Sequence, residues 1–329
     1  MTSSPLPSNR SAPTWIVLLR TPPAIALGLA IILFIVGELA RPGFASYDQI
    51  MNVLRLAAFL GIMAVGQTLV IMAGGEGIDL SVGAVVTLGA IIVFRIVNGD
   101  PALVIPALII SSLAGLLIGL LNGFGIAIMR IPPLVMTLGM TGVVQGLILV
   151  VTGGRPQGAS APIMQVVLSD AWIAGIPGVV FIWIILAAAV WLLLQRSAFG
   201  KALYAIGSNR TTARLSGVRV ERMVILTYGL SGMFAAIGGF VLLGYTQNVF
   251  INLGYQYTLP TIAAVVVGGT TLAGGSGGYI GTMAGALVLR LIESLLLTFS
   301  IPEFGRQIVY GLILLVLLSV YGRGRSLRS

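Results

Sequence analysis

The chain has 329 residues, of which 57% are apolar and only 8% are Asp, Glu, Lys or Arg, with a formal net charge of +9. Soluble domains carry roughly 25% charged residues because a folded surface must be solvated, so this composition excludes most soluble enzyme folds and describes an integral membrane protein. A mean hydropathy of +1.07 agrees.

There is no Cys and no His, which removes thiol chemistry, disulfides and the usual zinc sites. Lys occurs once, at Lys201, and Ala202 follows it. A phosphate-binding loop needs Gly-x-x-x-x-Gly-Lys-Ser/Thr, so any ATP this protein uses must bind another polypeptide. No catalytic residue, metal or resident cofactor is expected in the chain, and no nucleic acid as partner.

Residues 1–20, rich in Ser and Pro, read as a flexible tail, and 21–329 as a single transmembrane domain. A helix crosses the hydrocarbon layer with about 20 mostly apolar residues. Spans are expected near 22–39, 53–73, 79–97, 103–128, 133–151, 173–194, 223–245, 256–273, 278–299 and 304–321. The fold class is therefore all-α, polytopic, with about ten helices crossing the bilayer. Arg10 and Arg20 precede the first apolar run as in a signal peptide, but Glu38-Leu39-Ala40 is a poor cleavage site. An uncleaved first helix is expected.

Basic residues set the orientation. With the N-terminus inside, twelve fall on the inner side, chiefly around Arg196–Arg222 and at the C-terminus. Five (Arg41, Arg55, Arg95, Arg155, Arg306) fall outside, and Arg290 lies within a span. Basic loops stay cytoplasmic, so both termini are expected there.

Glycine is abundant, with 44 residues. Helix association in lipid relies on close backbone approach, and Gly115, Gly119 and Gly123 repeat on one helix face, as do Gly277, Gly281 and Gly285. Residues 64–90 and 263–289 each run from an apolar helix through a Gly-rich break into a small-residue helix. Paired broken helices of this kind occur in transporters with internal repeats.

Asp79 interrupts two apolar stretches. An acid at membrane depth usually faces a partner or a water-filled path, yet Asp79 also opens a helix, where it can cap the first turn. Both readings stay open: a cap, or solute contact and gating. Glu76 reads as a solvated loop residue. Gln67, Ser81, Asn122 and Gln145 join Asp79 as pathway or gate candidates, and Tyr245, Gln247, Asn248, Asn252 and Tyr255 are further polar groups in or near spans. Amides and phenols donate and accept without a fixed charge, which suits a neutral, hydroxyl-rich solute; the plainer alternative is bonding between helices. Arg290 and Glu293, three apart on one helix, pair most simply with each other.

The loop 196–222 carries six basic residues and one acid, Glu221. Ser208-Asn209 offers a helix start and Ser216-Gly217 a stop. The intervening Arg210–Leu215 would present Arg210, Arg214 and Leu215 on the surface, either as retained positive charge or as a docking helix for a soluble partner.

Three stretches together resemble the ribose-type sugar permeases of bacterial ATP-binding-cassette importers, a family that also carries the sugar-like autoinducer-2. The first is Val65-Gly66-Gln67-Thr68-Leu69-Val70-Ile71 followed by Ile78-Asp79-Leu80-Ser81-Val82-Gly83. The second is Phe199-Gly200-Lys201-Ala202-Leu203-Tyr204-Ala205-Ile206-Gly207-Ser208-Asn209 running on to Ala213-Arg214-Leu215-Ser216-Gly217-Val218. The third is Ala263 through Gly275, with Gly281-Thr282 beyond it.

The resemblance implies that Gly207, Asn209, Ala213, Arg214, Leu215, Ser216 and Gly217 meet an ATP-binding subunit, which would hold ATP and Mg. It also implies an extracytoplasmic solute-binding protein, a second permease copy of like or related chain, and a place in the bacterial inner membrane among lipid. The implied solute is a neutral pentose, hexose, polyol or autoinducer-2, with nucleosides or branched-chain amino acids as alternatives. A self-sufficient ion-coupled carrier is the reading from another class. The chain departs from the family twice: the link Met72–Gly77 is longer than usual, and Thr258 stands where many relatives carry an acid after the Tyr.

Overall fold

The computed structural model describes residues 21–323, so the tail expected at 1–20 lies outside the described residues. Among the described residues the chain is helical, without strands, and runs α1 (Pro22–Ala40), α2 (Tyr47–Met72), α3 (Val82–Val97), α4 (Val104–Ala127), α5 (Pro133–Thr152), α6 (Pro162–Leu168), α7 (Gly178–Arg196), α8 (Ala198–Ser208), α9 (Arg210–Leu215), α10 (Val220–Thr246), α11 (Thr258–Val267), α12 (Tyr279–Thr298) and α13 (Glu303–Arg323).

Among the described residues seven helices are long and apolar enough to cross a membrane, fewer than the ten or so expected. Two of the expected spans outside that set, 79–97 and 256–273, lie at the breaks, while the one expected at 304–321 is present as α13, 21 residues long. Helix α3 is an apolar helix of 16 residues that starts at Val82, later than expected. The span expected at 256–273 holds only α11, ten residues long, which at 1.5 Å per residue cannot reach across the hydrocarbon layer. It stops because Gly269 takes φ +88° and Gly274 and Gly275 follow with φ +86° and +72°, values that side chains rarely adopt. The span expected from 173 begins at Gly178 instead, since Ala174 and Gly175 take positive φ in a turn ahead of Pro177. Conversely, α2 extends back to Tyr47, through the polar turn containing Asp48 and Gln49.

Helix α2 is the axis of the bundle. In its most apolar stretch 83% of residues are buried, against 17% for α1 and α5. Helix α10 comes next at 72%, and the large apolar side chains of α1, α4 and α5, such as Ile31, Leu117 and Val143, face outward. An apolar exterior around a small-residue centre is what a lipid environment allows.

The two central helices are held by backbone approach and by a few buried polar links. On α4, a Cβ at Gly115, Gly119 or Gly123 would overlap the α10 backbone at Gly232, Tyr228 or Ile225. The first triplet therefore forms the groove its spacing predicts. The second is divided. Gly281 and Gly285 press on the backbone of Gly268 and Ala264, whereas Gly277 lies in the turn before α12 at φ +117°. Across the core, Trp183 Nε1 donates to Tyr279 Oη (2.9 Å), which donates to the Gly61 carbonyl (2.8 Å). Thr68 and Thr282 share a 2.8 Å hydroxyl bond between α2 and α12.

Gly119→Leu is expected to force α4 away from α10 and lower the Tm of the purified protein sharply, with loss of folded yield. Gly28→Ala, on α1 with nothing within 4 Å of a Cβ, should leave the Tm unchanged in the same detergent thermal-shift assay.

Candidate functional site

Helices α8 and α9 cap one end of the bundle, here called the basic end. Helix α9 covers the segment Arg210–Leu215 that the sequence predicts. Asn209 is its N-cap, with Oδ1 accepting the Thr212 amide at 2.9 Å, and Gly217 (φ +84°) follows it. Arg214, paired with Glu221, and Leu215, 85% exposed, point away from the protein beside the exposed Ser216 and Gly217. Ala213 is buried underneath. An apolar side chain displayed next to arginine on a short rigid helix can be gripped by a partner, but it offers nothing to a solute.

Arg210 departs from expectation. Its guanidinium turns inward, lies against Gly75 and donates to the Gly74 carbonyl at 3.0 Å. Its partial burial pulls its pKa below the ordinary value.

Gly74 and Gly75 belong to the break between α2 and α3, and that break meets the break between α11 and α12. The Gly275 amide donates to the Met72 carbonyl at 3.0 Å. Between them sits Gly207 at the end of α8, where a Cβ would overlap Met72 O and Gly275 N. A Cβ on Gly274 would overlap Gly74, and one on Gly275 would crowd Ser208. Tyr204 Oη adds a bond to the Gly277 carbonyl at 2.9 Å. Gly207 is thus an internal contact of both breaks and not part of the exposed face. The two Gly-rich runs are visible in the sequence, but their meeting at Gly207 carries no local signal.

Beyond the first break the chain enters the core at Asp79, 1% exposed. Its Oδ1 accepts the Ser81 amide (3.0 Å) and Ser81 hydroxyl (2.6 Å), and its Oδ2 accepts the Ser231 hydroxyl of α10 (2.7 Å). Asn122 Nδ2 of α4 donates to Ser81 Oγ at 2.9 Å. Asp79 therefore ties the start of α3 to α10 and, through Ser81, to α4. Gln67, fully buried in α2, has neither end of its amide bonded among the described residues.

Toward the other end, α3, α5, the segment 251–260 and α13 line a partly open cavity of about 250 Å³. Leu80, one residue after Asp79, lies on its wall, and Gln145 of α5 faces into it with Asn252, Tyr255 and Gln256. Of the five pathway candidates only Gln145 lines the cavity, while Gln67, Asp79, Ser81 and Asn122 lie in the packed core. Asn252 and Tyr255 were visible as polar residues near spans. Glu303 and Gln307 escape sequence reasoning because nothing local brings α13 to this wall.

Behind that wall the expected Arg290–Glu293 pair is present and extends further. Arg306 reaches Glu293 at 3.6 Å and pairs with Glu303, and the Arg290 guanidinium lies 5.0 Å from the ring centroid of Tyr257.

The family described as "Branched-chain amino acid transport system / permease component" matches residues 49–318. The chain belongs to this family. Among curated relatives, the permease is 36% identical over 293 residues to the ribose import permease protein RbsC of Bacillus subtilis, covering 88% of this chain and 89% of the relative. It is 35% identical over 301 residues to the autoinducer 2 import system permease protein LsrC of Escherichia coli (strain K12 / DH10B), covering 91% and 86%. Against the RbsC of Haemophilus influenzae the figure is 33% over 291 residues, covering 87% and 88%. These names agree with the ribose-type resemblance carried by the three motifs, and the relatives are transport permeases, not enzymes. No solved structure gives a significant match. With its apolar helices, the permease is a multi-pass membrane protein of the ATP-binding-cassette type.

Asp79→Ala strips three bonds from buried donors, each worth roughly 1.5–3 kcal/mol when the acceptor is charged, and is expected to lower the Tm strongly. Asp79→Asn keeps an acceptor for Ser81 and should lie between Ala and wild type in the same thermal melt.

Proposed function

We propose that this chain is the membrane-spanning subunit of an ATP-binding-cassette importer for a small neutral sugar or sugar-like solute, working by alternating access. It sits in the bacterial cytoplasmic membrane with both termini inside. ATP and Mg bind a separate ATPase subunit, an extracytoplasmic binding protein delivers the solute, and a second permease copy or related permease completes the path.

The observation that carries this reading is the connection of α9 to the helix breaks. Arg214 and Leu215 face outward for a partner, while Arg210 on the same short helix grips the Gly74 carbonyl. A partner that displaces α9 therefore displaces both breaks, because Gly207 fills the space between them. Coupling requires contact that differs between two states, and a rigid helix bonded directly to the broken spans supplies it. The concentration of basic residues at this end supports its being cytoplasmic.

Autonomous ion-coupled transport fits less well, since such proteins keep ionisable groups at membrane depth to bind or relay the ion. Here Asp79 is occupied by hydroxyls and an amide, and Arg290 and Glu293 are committed to a charge network. A branched-chain amino acid cargo has the wording of the family description in its favour, whereas the relatives are named for ribose and autoinducer 2 import.

The test is the reconstituted complex with its ATPase and binding protein. Arg214→Glu with Leu215→Asp should abolish stimulation of ATPase activity by the loaded binding protein and reduce uptake at least about tenfold, a change of roughly 1.4 kcal/mol or more in coupling. Wild-type uptake by an assembled double variant would remove the coupling assignment. Uphill transport by the purified chain alone would remove the importer reading altogether.

A further inference from the structure

The cavity between α3, α5, the segment 251–260 and α13 has chemistry of its own. Its volume of about 250 Å³ falls just below the usual ligand-pocket range of roughly 300–1,000 Å³, which suits a solute smaller than a drug. At the ~30 Å³ each water occupies in the liquid, the space is that of about eight waters, the order of size of one sugar ring with its hydroxyls.

Four polar side chains on its wall, Gln145, Asn252, Tyr255 and Gln256, take no hydrogen-bond partner from the described residues. All four are exposed toward this open space, Tyr255 by 64%, and bond neither each other nor a neighbouring helix, so they are not spent as links between helices. Together they offer both donors and acceptors, which matches hydroxyl groups, each of which both gives and accepts. The apolar remainder, including Leu138, Ile148 and Leu259, suits the C–H faces of a sugar ring.

The charges on the wall argue by sign. The lining contains no Lys or Arg, and its single carboxylate, Glu303, is paired with Arg306. A zwitterionic amino acid would bring a carboxylate with no cation to meet it and an ammonium facing an acid already neutralised. Desolvating two unmatched charges costs several kcal/mol each, while an uncharged polyol meets no such penalty. The pairing of Glu303 also leaves its remaining lone pairs able to accept from a hydroxyl without holding a cation.

The geometry points to this cavity as a solute site of the permease, with Gln145, Asn252, Gln256 and Tyr255 as the specificity-determining residues that admit an uncharged, hydroxyl-rich ring and reject an amino acid. This rests on the importer reading and adds to it the place and the selecting groups.

The experiment uses the reconstituted complex with labelled D-ribose, D-xylose, D-glucose, myo-inositol and L-leucine as probes. Wild type should accumulate at least one of the four polyols and not leucine. For that polyol, Gln145→Leu and Asn252→Leu should each lower uptake about tenfold, the order expected for one or two lost neutral hydrogen bonds. ATPase stimulation by the loaded binding protein should stay within about twofold, because neither residue touches α9 or the breaks. Gln145→Asn should recover part of the loss.

The absence of native cysteine provides a second readout that does not depend on the Leu variants assembling. Asn252→Cys, labelled with a thiol reagent, should react several-fold more slowly in the presence of the transported polyol, whereas Arg155→Cys should react at an unchanged rate. Wild-type uptake by both Leu variants, or labelling of Asn252→Cys that the transported polyol leaves unaltered, overturns the site while leaving the importer reading intact. Accumulation of leucine and of none of the polyols overturns both.

Discussion

Breaking a helix inside a bilayer frees backbone amides and carbonyls that lipid cannot satisfy, and the rest of this structure is arranged around meeting that demand twice. Each break supplies part of the other's needs, since the Gly275 amide binds the Met72 carbonyl. Helices α8 and α9 add further bonds, Tyr204 of α8 on the Gly277 carbonyl and Arg210 of α9 on the Gly74 carbonyl. Helix α5 reaches the first break from the side, with Thr137 and Thr141 donating to the carbonyls of Ile78 and Leu80. The glycines are what make the exchange possible, because any Cβ at Gly207 or Gly274 would force the three backbones apart. A demand of the membrane has become a mechanical junction at the end of the protein where a soluble engine would attach.

This junction also orders the functional parts along one line. Helix α9 is outermost, the glycine contacts lie beneath it, and the Asp79–Ser81–Ser231–Asn122 cluster secures the break within the core. Leu80 then forms part of the cavity wall. The alternating charges of Arg290, Glu293, Arg306 and Glu303 brace the far side of the cavity. Charges of opposite sign held in sequence give each a partner in a place where water is scarce.

Much of this was legible before any coordinates. The apolar runs mark the bundle, the spacing of Gly115, Gly119 and Gly123 marks a packing groove, and Asn209 with Gly217 bounds α9 to the residue. What stayed hidden depends on contacts between residues far apart in the chain. Arg210 reads as a surface cation like Arg214 because both sit in the same basic loop, and only the proximity of Gly74 turns it inward. For Gln67, Asp79, Ser81 and Asn122 the sequence leaves path lining and bonding between helices side by side, and Asp79, Ser81 and Asn122 spend their polarity on one another and on Ser231. The apolar run 256–273 reads as a span because hydropathy does not register that Gly269, Gly274 and Gly275 adopt conformations that end a helix. Thr258, next to Tyr257, and Glu303 of α13 line the same cavity although they lie 45 residues apart in the chain.

The two threonines of α5 differ in kind from the other ties. Their bonds to Ile78 and Leu80 are long, at 3.4 and 3.2 Å, and each hydroxyl also has a carbonyl within its own helix at 2.9 Å. Letting go of the neighbouring segment therefore strands no proton, since each O–H simply falls back on its own turn. Helix α5 is also largely unburied, so little packing opposes its departure. Parting the seam between α5 and the loop ahead of α3 therefore leaves both hydroxyls bonded and frees only the carbonyls of Ile78 and Leu80, and Gln145, one turn beyond Thr141, lies beside that seam.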